Sequence, residues 1–423
     1  MRNRHQHPEA SVSADYKTLS GLDTELPLSG LRVVDVSTYI AAPAAATALG
    51  DWGADVIKVE APGLGDPHRH GWKGANYPRA EVNFPWQLEG RNKRSIAVDL
   101  KSPQGRAIMT RLIKRADVLV VNFPSPVRDR LQLRFEDVEA LNPRLIYASL
   151  SGYGEDGPDA NIPGFDVNGY FARSGLLDAL RYDGEPPAFS LPAQGDRISA
   201  MTLVAAIMMG LYRRERTGRG GWVGTSLYAN GVWANATLTT AALAGADLQP
   251  RPPRDRPRSA LQNQYVSKDG RWFTLLLSQE NKRWPGFCET VGAKELISDP
   301  RFVTAALRLQ HATELTAALD ESFVAHDWAY WRNCLPSAGA AVAPINSVQD
   351  VIVDEQAVHA GILIDTDSAD VPRSIAGPVR LGFAKPRLAG QAPELGQHTR
   401  EILLELEYSD AEIVALRTAG VVS

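Results

Sequence analysis

Two short apolar runs separated by an alanine-rich stretch constrain the fold of this chain more than any other feature. Arg32–Val36 and Asp55–Glu60 are rich in valine, as buried strands are, and Ala41–Trp52 between them predicts a helix that ends at Gly53. Two strands joined by a helix run parallel to each other, because the helix returns the chain to the end of the sheet at which the first strand began. The pattern therefore predicts a βαβ unit within a parallel sheet.

The same alternation continues through the first half of the chain. The further predicted elements are a helix over Pro103–Arg115, strands at Val118–Val121 and Leu145–Ser149, a helix over Arg197–Arg216 and a strand at Trp222–Leu227. No GxGxxG sequence follows the first strand. The predicted fold class is thus α/β with a Rossmann-like large domain, without the glycine signature of a dinucleotide site.

The composition changes near residue 248. Gln249–Arg258 is rich in proline and arginine, as linkers are, and a hairpin of Gln264–Ser267 and Trp272–Leu277 is predicted after it. At 423 residues the chain also exceeds the length at which single hydrophobic cores stop growing, roughly 250–300 residues. We therefore expect a smaller α+β domain beyond the linker.

Charge and hydropathy exclude several classes of protein. The net charge of −4 provides no basic field for nucleic acid, and the longest apolar run, Met201–Leu211, is shorter than the roughly 20 residues of a membrane-spanning helix. The polar start does not resemble a signal peptide, so we interpret the protein as cytoplasmic. Cys288 and Cys334 are far apart and lack metal-ligand spacing, so no metal site is expected.

Asp166 is the first candidate for chemistry. It follows a Pro163-Gly164 turn, which places it at the predicted start of a helix, where backbone N–H groups and the helix dipole favour an ionised carboxylate. An ionised aspartate in such a position can act as a nucleophile. An ordinary N-terminal cap is the commoner role of an aspartate at such a position, and the local sequence leaves both interpretations open.

A series of short motifs follows in a fixed order along most of the chain. They are Gly30–Val36, Ala42-Pro43, Leu49–Glu60, Asn92–Ile96, Asp99-Leu100, Ala116–Val118, Asn122-Phe123, Leu141–Ala148, Ser151–Gly154, Gly164–Asp166, Thr217–Gly220 and Leu395–Thr399. In this order they resemble the family III CoA-transferases, the group that contains formyl-CoA transferase, carnitine CoA-transferase and α-methylacyl-CoA racemase. The resemblance covers about residues 28–405.

The resemblance implies a domain organisation and an assembly. Residues 1–27 are expected to form an N-terminal extension, 28–230 the first part of a large CoA-binding domain, 231–332 a small α+β domain with its linkers, and 333–423 a segment that returns to the large domain. Two subunits are expected to interlock as a homodimer. Asp166 takes the place of the catalytic aspartate in the resemblance, which favours the nucleophile over the cap.

The activity that the resemblance implies is transfer of CoA from an acyl-CoA to a free carboxylic acid. Asp166 would form a mixed anhydride and then an aspartyl-CoA thioester. Coenzyme A is thus a substrate, and no tightly bound cofactor, metal, nucleic acid or membrane partner is expected. Where formyl-CoA transferase has His-Val-Gln after its first strand this chain has Thr38-Tyr39-Ile40, which counts against oxalate as a substrate.

The CoA phosphates require cations, and the resemblance nominates three. Lys93 and Arg94 form a basic pair in a predicted loop, and Arg130 follows Asn122-Phe123. A solvent-exposed face and surface ion pairs are the structural alternatives for these cations. Asn122 and Phe123 are candidates for the pantetheine or adenine pocket, and Tyr153 for the acyl site; packing against neighbours is the alternative for all three.

Two other functions remain open. A 2-methylacyl-CoA racemase or isomerase of the same fold needs a second acid or base, usually histidine, opposite the aspartate, and no histidine occurs between His70 and His311. A non-catalytic acyl-CoA-binding protein is the other alternative, and the presence of Asp166 argues against it.

Overall fold

The computed structural model describes residues 26–75 and 77–423, so the predicted N-terminal extension lies almost entirely outside the described residues. The strands are β1 Arg32–Asp35, β2 Asp55–Glu60, β3 Lys93–Ala97, β4 Val118–Val121, β5 Ile146–Ser151, β6 Gly221–Ser226, β7 Gln262–Val266, β8 Trp272–Leu277, β9 Ala340–Pro344, β10 Leu363–Asp365 and β11 Arg373–Ile375. No helix in these ranges has both the length and the apolar character needed to cross a bilayer.

The α-helices vary from single turns to one helix of 24 residues. They are α1 Ala41–Asp51, α2 His68–Gly71, α3 Phe84–Gly90, α4 Pro103–Arg115, α5 Ser125–Leu131, α6 Phe135–Glu139, α7 Leu176–Leu180, α8 Gln194–Thr217, α9 Leu227–Ala234, α10 Ala236–Leu243, α11 Glu280–Thr290, α12 Ala305–Gln310, α13 Ala312–Phe323, α14 Trp328–Cys334, α15 Val348–Val351, α16 Glu355–His359, α17 Thr399–Glu405 and α18 Asp410–Thr418. A π-helix spans Asp166–Ala172, and 3₁₀ turns span Lys294–Ile297 and Leu335–Ala338.

The larger of two compact units contains a six-stranded parallel sheet in the order β3-β2-β1-β4-β5-β6. Val33 of β1 pairs with Val56 of β2 on one side and with Val118 of β4 on the other. Apolar clusters cover both faces of the sheet, and all four residues of β4 are buried, as expected for a sheet with helices on both sides. The predicted parallel α/β fold is confirmed.

The strand order reverses between β1 and β4, and this reversal determines where a ligand can bind. The chain leaves β1 towards β2 and β3 on one side, and returns through β4 to β5 and β6 on the other. Connections that leave two adjacent strands in opposite directions open a crevice at the carboxyl ends of those strands. Residues 37–40 after β1 and Asn122-Phe123 after β4 lie at this crevice.

The smaller unit consists of residues 179–188 and 247–354. Its three antiparallel strands, in the order β7-β8-β9, pack against helices around a separate apolar core. The sequence placed the boundaries of this domain at 231 and 332. The observed boundaries are later because α10 belongs to the larger unit and because β9 completes the sheet by pairing with β8.

The chain returns to the larger unit from Glu355 to its end. There α17 packs on the edge strand β3, and the backbone of His398 donates a hydrogen bond to the carbonyl of Ser95. Lys93 and Arg94 therefore lie on a strand, and the predicted loop is wrong. Local sequence concealed β3 because the carboxylates that neutralise its two cations are remote in the chain.

Candidate active site

Two glycines bring the chain around Asp166 against the end of β5. A β-carbon at Gly152 would lie 2.6 Å from the Cα of Gly164, and one at Gly164 would lie 2.5 Å from the Cα of Gly152. Any side chain at either position would overlap the opposite backbone. The close approach holds the extended residue Phe165 and the π-helix that Asp166 begins, so the predicted helix start is observed.

The Asp166 carboxylate is enclosed and has no hydrogen-bond partner. The residue is 7% exposed, and neither oxygen makes a hydrogen bond within the described residues. Burial raises the pKa of Asp166, and the nearby backbone amides of residues 193–196 oppose this rise without reaching hydrogen-bond geometry. Phe165 occupies the N-cap position and Asp166 makes no capping bond, so the capping interpretation is wrong.

The long helix α8 begins directly against this carboxylate. Its N-cap residue, Ala193, has a left-handed backbone with φ of 64°, which turns the chain sharply into the helix. A β-carbon at Gly195 would lie 2.4 Å from Oδ1 of Asp166 and 2.2 Å from the ring of Tyr170. Glycine is thus required at this position for the helix start to approach Asp166.

Asp196, in the first turn of α8, is a second carboxylate of the site. Burial and then the charge of Asp166 raise the pKa of Asp196 to about 7. Asp196 is half-buried, whereas both oxygens of Asp166 are enclosed. Asp196 was not among the residues predicted from the sequence, although a glycine precedes it near the start of a predicted helix, as Gly164 precedes the Asp166 segment.

Three more polar side chains lie close to this pair. Arg197 donates from Nη2 to Oε1 of Glu89 at 2.8 Å, and the charge of Glu89 acts on both Asp196 and the buried His68. Burial lowers the pKa of His68, whose Nε2 has no partner among the described residues. The site is therefore a cluster of charged groups at the start of α8.

The crevice at the sheet switch point adjoins this cluster. Asn122 accepts a hydrogen bond from the backbone N–H of Thr38 at 2.9 Å and donates to the Thr38 carbonyl at 2.7 Å. Tyr39, whose backbone has φ of 64°, packs edge-on against Phe165 with ring centroids 5.8 Å apart. The loop after β1 thereby connects the end of β4 to the residue before Asp166.

Carboxylates bind both cations of the predicted basic pair. The Lys93 ammonium lies 3.0 Å from Asp35 and 2.8 Å from the Pro43 carbonyl, and its side chain is 1% exposed. Arg94 is bound by Asp55, Glu401 and Glu405 together. Both cations stabilise the sheet and its contact with α17, and the geometry argues against either of them as a phosphate ligand.

Arg130 differs from the basic pair. It is exposed near the end of α5, and its guanidinium makes no ion pair or hydrogen bond in the described part of the chain. Lys101 is also exposed, and its ammonium is likewise unpartnered there. Since both residues follow parallel strands, β4 and β3, they lie towards the same carboxyl edge of the sheet. Lys101 was missed because one exposed lysine has no distinctive sequence signal.

The remaining candidates have mixed surroundings. Phe123 packs partly against one of the two apolar clusters of the sheet. The ring of Tyr153 lies beside Gly164, 4.9 Å from the guanidinium of Arg173 and 6.5 Å from the ring of Tyr228. Asn122, Phe123 and Tyr153 therefore lie around the crevice and the Asp166 segment.

Comparisons with known proteins agree with this fold. The sequence model of CoA-transferase family III matches residues 28–399. The (R)-2-hydroxy-4-methylpentanoate CoA-transferase of Clostridioides difficile is 31% identical, over 93% of this chain and 99% of that protein. The succinyl-CoA:glutarate CoA-transferase of Mus musculus is 33% identical, over 95% and 92%. A CAIB/BAIF family structure from Brucella suis superposes with a TM-score of 0.79 at 30% identity, over 90% of this chain and 100% of that one.

Proposed function

Since the chain belongs to CoA-transferase family III, we propose that it moves coenzyme A from an acyl-CoA thioester to a free carboxylic acid at the paired carboxylates Asp166 and Asp196. The observation that carries this proposal is the convergence of the two carboxylates at the start of α8. A carboxylate suits the reaction because its acyl adduct is a mixed anhydride, which is activated enough to form a thioester again.

The steps conserve atoms and involve no change of oxidation state. A carboxylate oxygen attacks the thioester carbonyl, the C–S bond breaks, and CoA leaves as a thiolate. The thiolate then attacks the aspartyl carbonyl of the anhydride, which releases the donor acid and leaves an aspartyl-CoA thioester. The acceptor carboxylate repeats these two steps in reverse and departs as the new acyl-CoA.

Asp166 is proposed as the attacking residue, as the family resemblance implies. Its oxygens are enclosed among the described residues, so the acyl-CoA must displace part of the helix start that packs against them. Asp196 is half-buried, and burial together with the charge of Asp166 raises its pKa to about 7. Asp196 is therefore proposed as a neighbouring acid whose protonation changes near neutral pH.

The crevice between β1 and β4 is the proposed binding site for the CoA portion. Asn122 and Phe123 are proposed to line it, with Tyr153 on the side of the Asp166 segment. Arg130 and Lys101, which have no ion-pair partner among the described residues, are proposed to bind the phosphates. Lys93 and Arg94 are excluded from this proposal because carboxylates and backbone carbonyls already bind them.

CoA transfer is tested by supplying the protein with an acyl-CoA and a second acid and measuring the new thioester by mass spectrometry. Formation of the second acyl-CoA at the expense of the first supports the proposal. The racemase alternative predicts instead that the α-hydrogen of a 2-methylacyl-CoA exchanges with deuterium from solvent and that no second acid is needed. A non-catalytic binding protein would produce neither change.

A homodimer is also proposed. On α8 the side chains of Ile198, Met209 and Tyr212 recur at helical spacing and are exposed, and near α10 Trp233 and Leu243 are 81% and 85% exposed. Apolar surface of this extent is typical of an interface, and a second copy of the chain is the occupant that the family resemblance suggests. Sedimentation at nanomolar concentration tests this, since a folded, active monomer would contradict an interlocked dimer.

A further inference from the structure

Asp66 is a buried carboxylate that the transfer steps above do not use. It lies in the segment after β2, and its side chain is 1% exposed. Its Oδ1 accepts hydrogen bonds from the backbone N–H groups of Tyr39, at 3.0 Å, and His68, at 2.9 Å. Its Oδ2 lies 2.9 Å from the ammonium of Lys58, in an ion pair without hydrogen-bond geometry. Both oxygens are therefore engaged, and one of them holds the loop after β1.

Lys58 connects Asp66 to a second point of the same loop. Its side chain is 2% exposed, and its ammonium donates to the Ser37 carbonyl and lies 3.7 Å from Oδ2 of Asp35. Burial acts to lower the pKa of Lys58, but the charges of Asp35 and Asp66 outweigh burial and raise this pKa above its ordinary value. The ammonium is therefore charged. A buried ion pair of this kind resists displacement, because separation of the partners leaves an uncompensated charge.

The rest of this loop is held as firmly. Thr38 lies between the residues that Lys58 and Asp66 bind. The Asn122 side chain binds both the N–H and the carbonyl of Thr38, at 2.9 and 2.7 Å. The next residue, Tyr39, has φ of 64°, a left-handed conformation that is unfavourable for a residue other than glycine. These contacts therefore maintain a backbone conformation that the loop would not keep alone.

Tyr39 connects this loop to the Asp166 segment. Its ring packs edge-on against that of Phe165, with centroids 5.8 Å apart, and both residues are exposed at the crevice. Phe165 directly precedes Asp166, and its carbonyl accepts hydrogen bonds from the N–H groups of Asn168 and Gly169 in the π-helix. A displacement of Tyr39 would therefore change the packing beside Asp166.

We propose that Asp66 is a positioning residue of CoA transfer, which fixes the loop after β1 and, through the contact of Tyr39 with Phe165, the segment that carries Asp166. The inference rests on the proposed CoA transfer, and it deepens that proposal by naming an enclosed residue that influences the rate. A misplacement of about 1 Å at a reacting group can lower a rate about 100-fold, so the effect should appear mainly in kcat. The nucleotide end of CoA is remote from the reacting carbonyl, so KM should change less.

Asp66→Asn keeps the size of the side chain but removes one of its two contacts. An amide has one acceptor oxygen, so its NH₂ group must face either the two backbone N–H groups or the Lys58 ammonium. We expect kcat to fall about 10- to 100-fold and KM for acyl-CoA to change less than about 3-fold. Transfer from succinyl-CoA or acetyl-CoA to a panel of carboxylic acids is measured by mass spectrometry, and the fastest pair is used for every variant of the full-length protein.

Asp51→Asn is the matched control. Asp51 is also a buried carboxylate, and its oxygens accept from Nε and Nη2 of Arg91 at 3.1 and 2.8 Å. It ends α1 just before β2 begins, and so lies towards the edge of the sheet opposite the crevice. Chemical denaturation should show that both substitutions lower stability, whereas only Asp66→Asn should lower kcat. Unchanged kcat in Asp66→Asn, or equal losses of kcat in both variants, would overturn the inference.

A double-mutant cycle with Tyr39→Ala tests whether Asp66 acts through Tyr39. Tyr39→Ala removes the ring that contacts Phe165, and it should fold because this position is exposed. It should itself lower kcat at least about 10-fold, and adding Asp66→Asn should lower kcat less than about 3-fold further.

Tyr39→Ala also tests the inference if Asp66→Asn does not fold. Unchanged kcat in Tyr39→Ala, or losses of kcat that multiply in the double variant, would overturn the positioning role of Asp66. Absence of transfer to every acid by the unaltered protein would instead overturn the proposed CoA transfer.

Discussion

Gly195 approaches the Asp166 carboxylate so closely that a β-carbon added to it would lie 2.4 Å from Oδ1. This approach places the first turn of α8, and with it Asp196, against a carboxylate that makes no hydrogen bond to residues 26–75 or 77–423. The two acidic groups therefore influence each other, and the proposed chemistry depends on that influence.

Gly195→Ala should impair catalysis more than it lowers the stability of the rest of the molecule. The added methyl group must displace Asp166 or the ring of Tyr170, and a shift of about 1 Å in a reacting group can lower a rate about 100-fold. Steady-state measurement of kcat, together with the affinity for free CoA, checks this expectation. The matched control is Gly286→Ala, in a helix where an added β-carbon would meet nothing within 4 Å. If both variants lost activity alike, the close approach of Gly195 to Asp166 would have no special role.

Asp166→Asn should nearly abolish CoA transfer and leave the affinity for free CoA within a few-fold. The amide keeps the shape of the side chain but lacks the anionic nucleophile, and it removes no contact with the nucleotide end of CoA. Measurement of kcat together with the affinity for free CoA checks this expectation. Substantial residual activity would remove Asp166 from the mechanism.

Asp196→Asn should change how stability depends on pH. The pKa of Asp196 is about 7 in the folded protein against 3.8 for an ordinary aspartate, so between these values the folded state holds a proton that the unfolded state has lost. The free energy of unfolding therefore falls as pH rises towards and through 7. The variant lacks this dependence, and its stability relative to the unaltered protein should increase from pH 5 to pH 8 by about 1–2 kcal/mol, since partial exposure screens part of the effect.

Chemical denaturation at the two pH values measures this difference. Asp410→Asn, an exposed position, is the control and should show little change between them. A constant difference between Asp196→Asn and the unaltered protein would mean that Asp196 has an ordinary pKa.

Arg130→Ala and Lys101→Ala should each raise KM for acyl-CoA with a smaller effect on kcat. Neither cation has an ion-pair partner in the described part of the chain. The phosphates they are proposed to bind are remote from the reacting carbonyl, so the ground and transition states lose similar binding energy. Increasing the salt concentration should reduce the difference in KM between each variant and the unaltered protein. Arg94→Ala serves as the contrast, because its ion pairs predict a loss of stability with KM little changed. Unchanged KM in Arg130→Ala and Lys101→Ala would place the phosphates elsewhere.

The elements that the sequence predicts correctly depend on local information. The buried strands Val118–Val121 and Asp55–Glu60 are continuous apolar runs, and Pro103–Arg115 has a serine cap before it and a basic last turn, so each carries its own signal. Strand β3 lacks such a signal, because burial of Lys93 depends on Asp35, 58 residues away. The boundaries of the smaller unit depend in the same way on the pairing of β8 with β9.

The candidate site, too, could be predicted from the sequence only in part. Sequence motifs identified the family and the Asp166 segment, and the structure adds Asp196, whose significance comes from a tertiary contact. Nothing near Asp196 in sequence reveals that Asp166 lies beside it. Asp35 binds Lys93, whereas Arg130 has no ion-pair partner among the described residues. This difference depends on tertiary contacts, which the sequence around each cation does not reveal.

Trapping of the covalent intermediate tests the central claim most directly. Hydroxylamine converts an aspartyl anhydride or an aspartyl-CoA thioester into a hydroxamate, and peptide mass spectrometry then locates the modified residue after incubation with acyl-CoA. We predict a hydroxamate on Asp166 that requires acyl-CoA and is absent from Asp166→Asn. A hydroxamate on Asp196, or none on either residue during active CoA transfer, would contradict the assignment of Asp166 as the nucleophile.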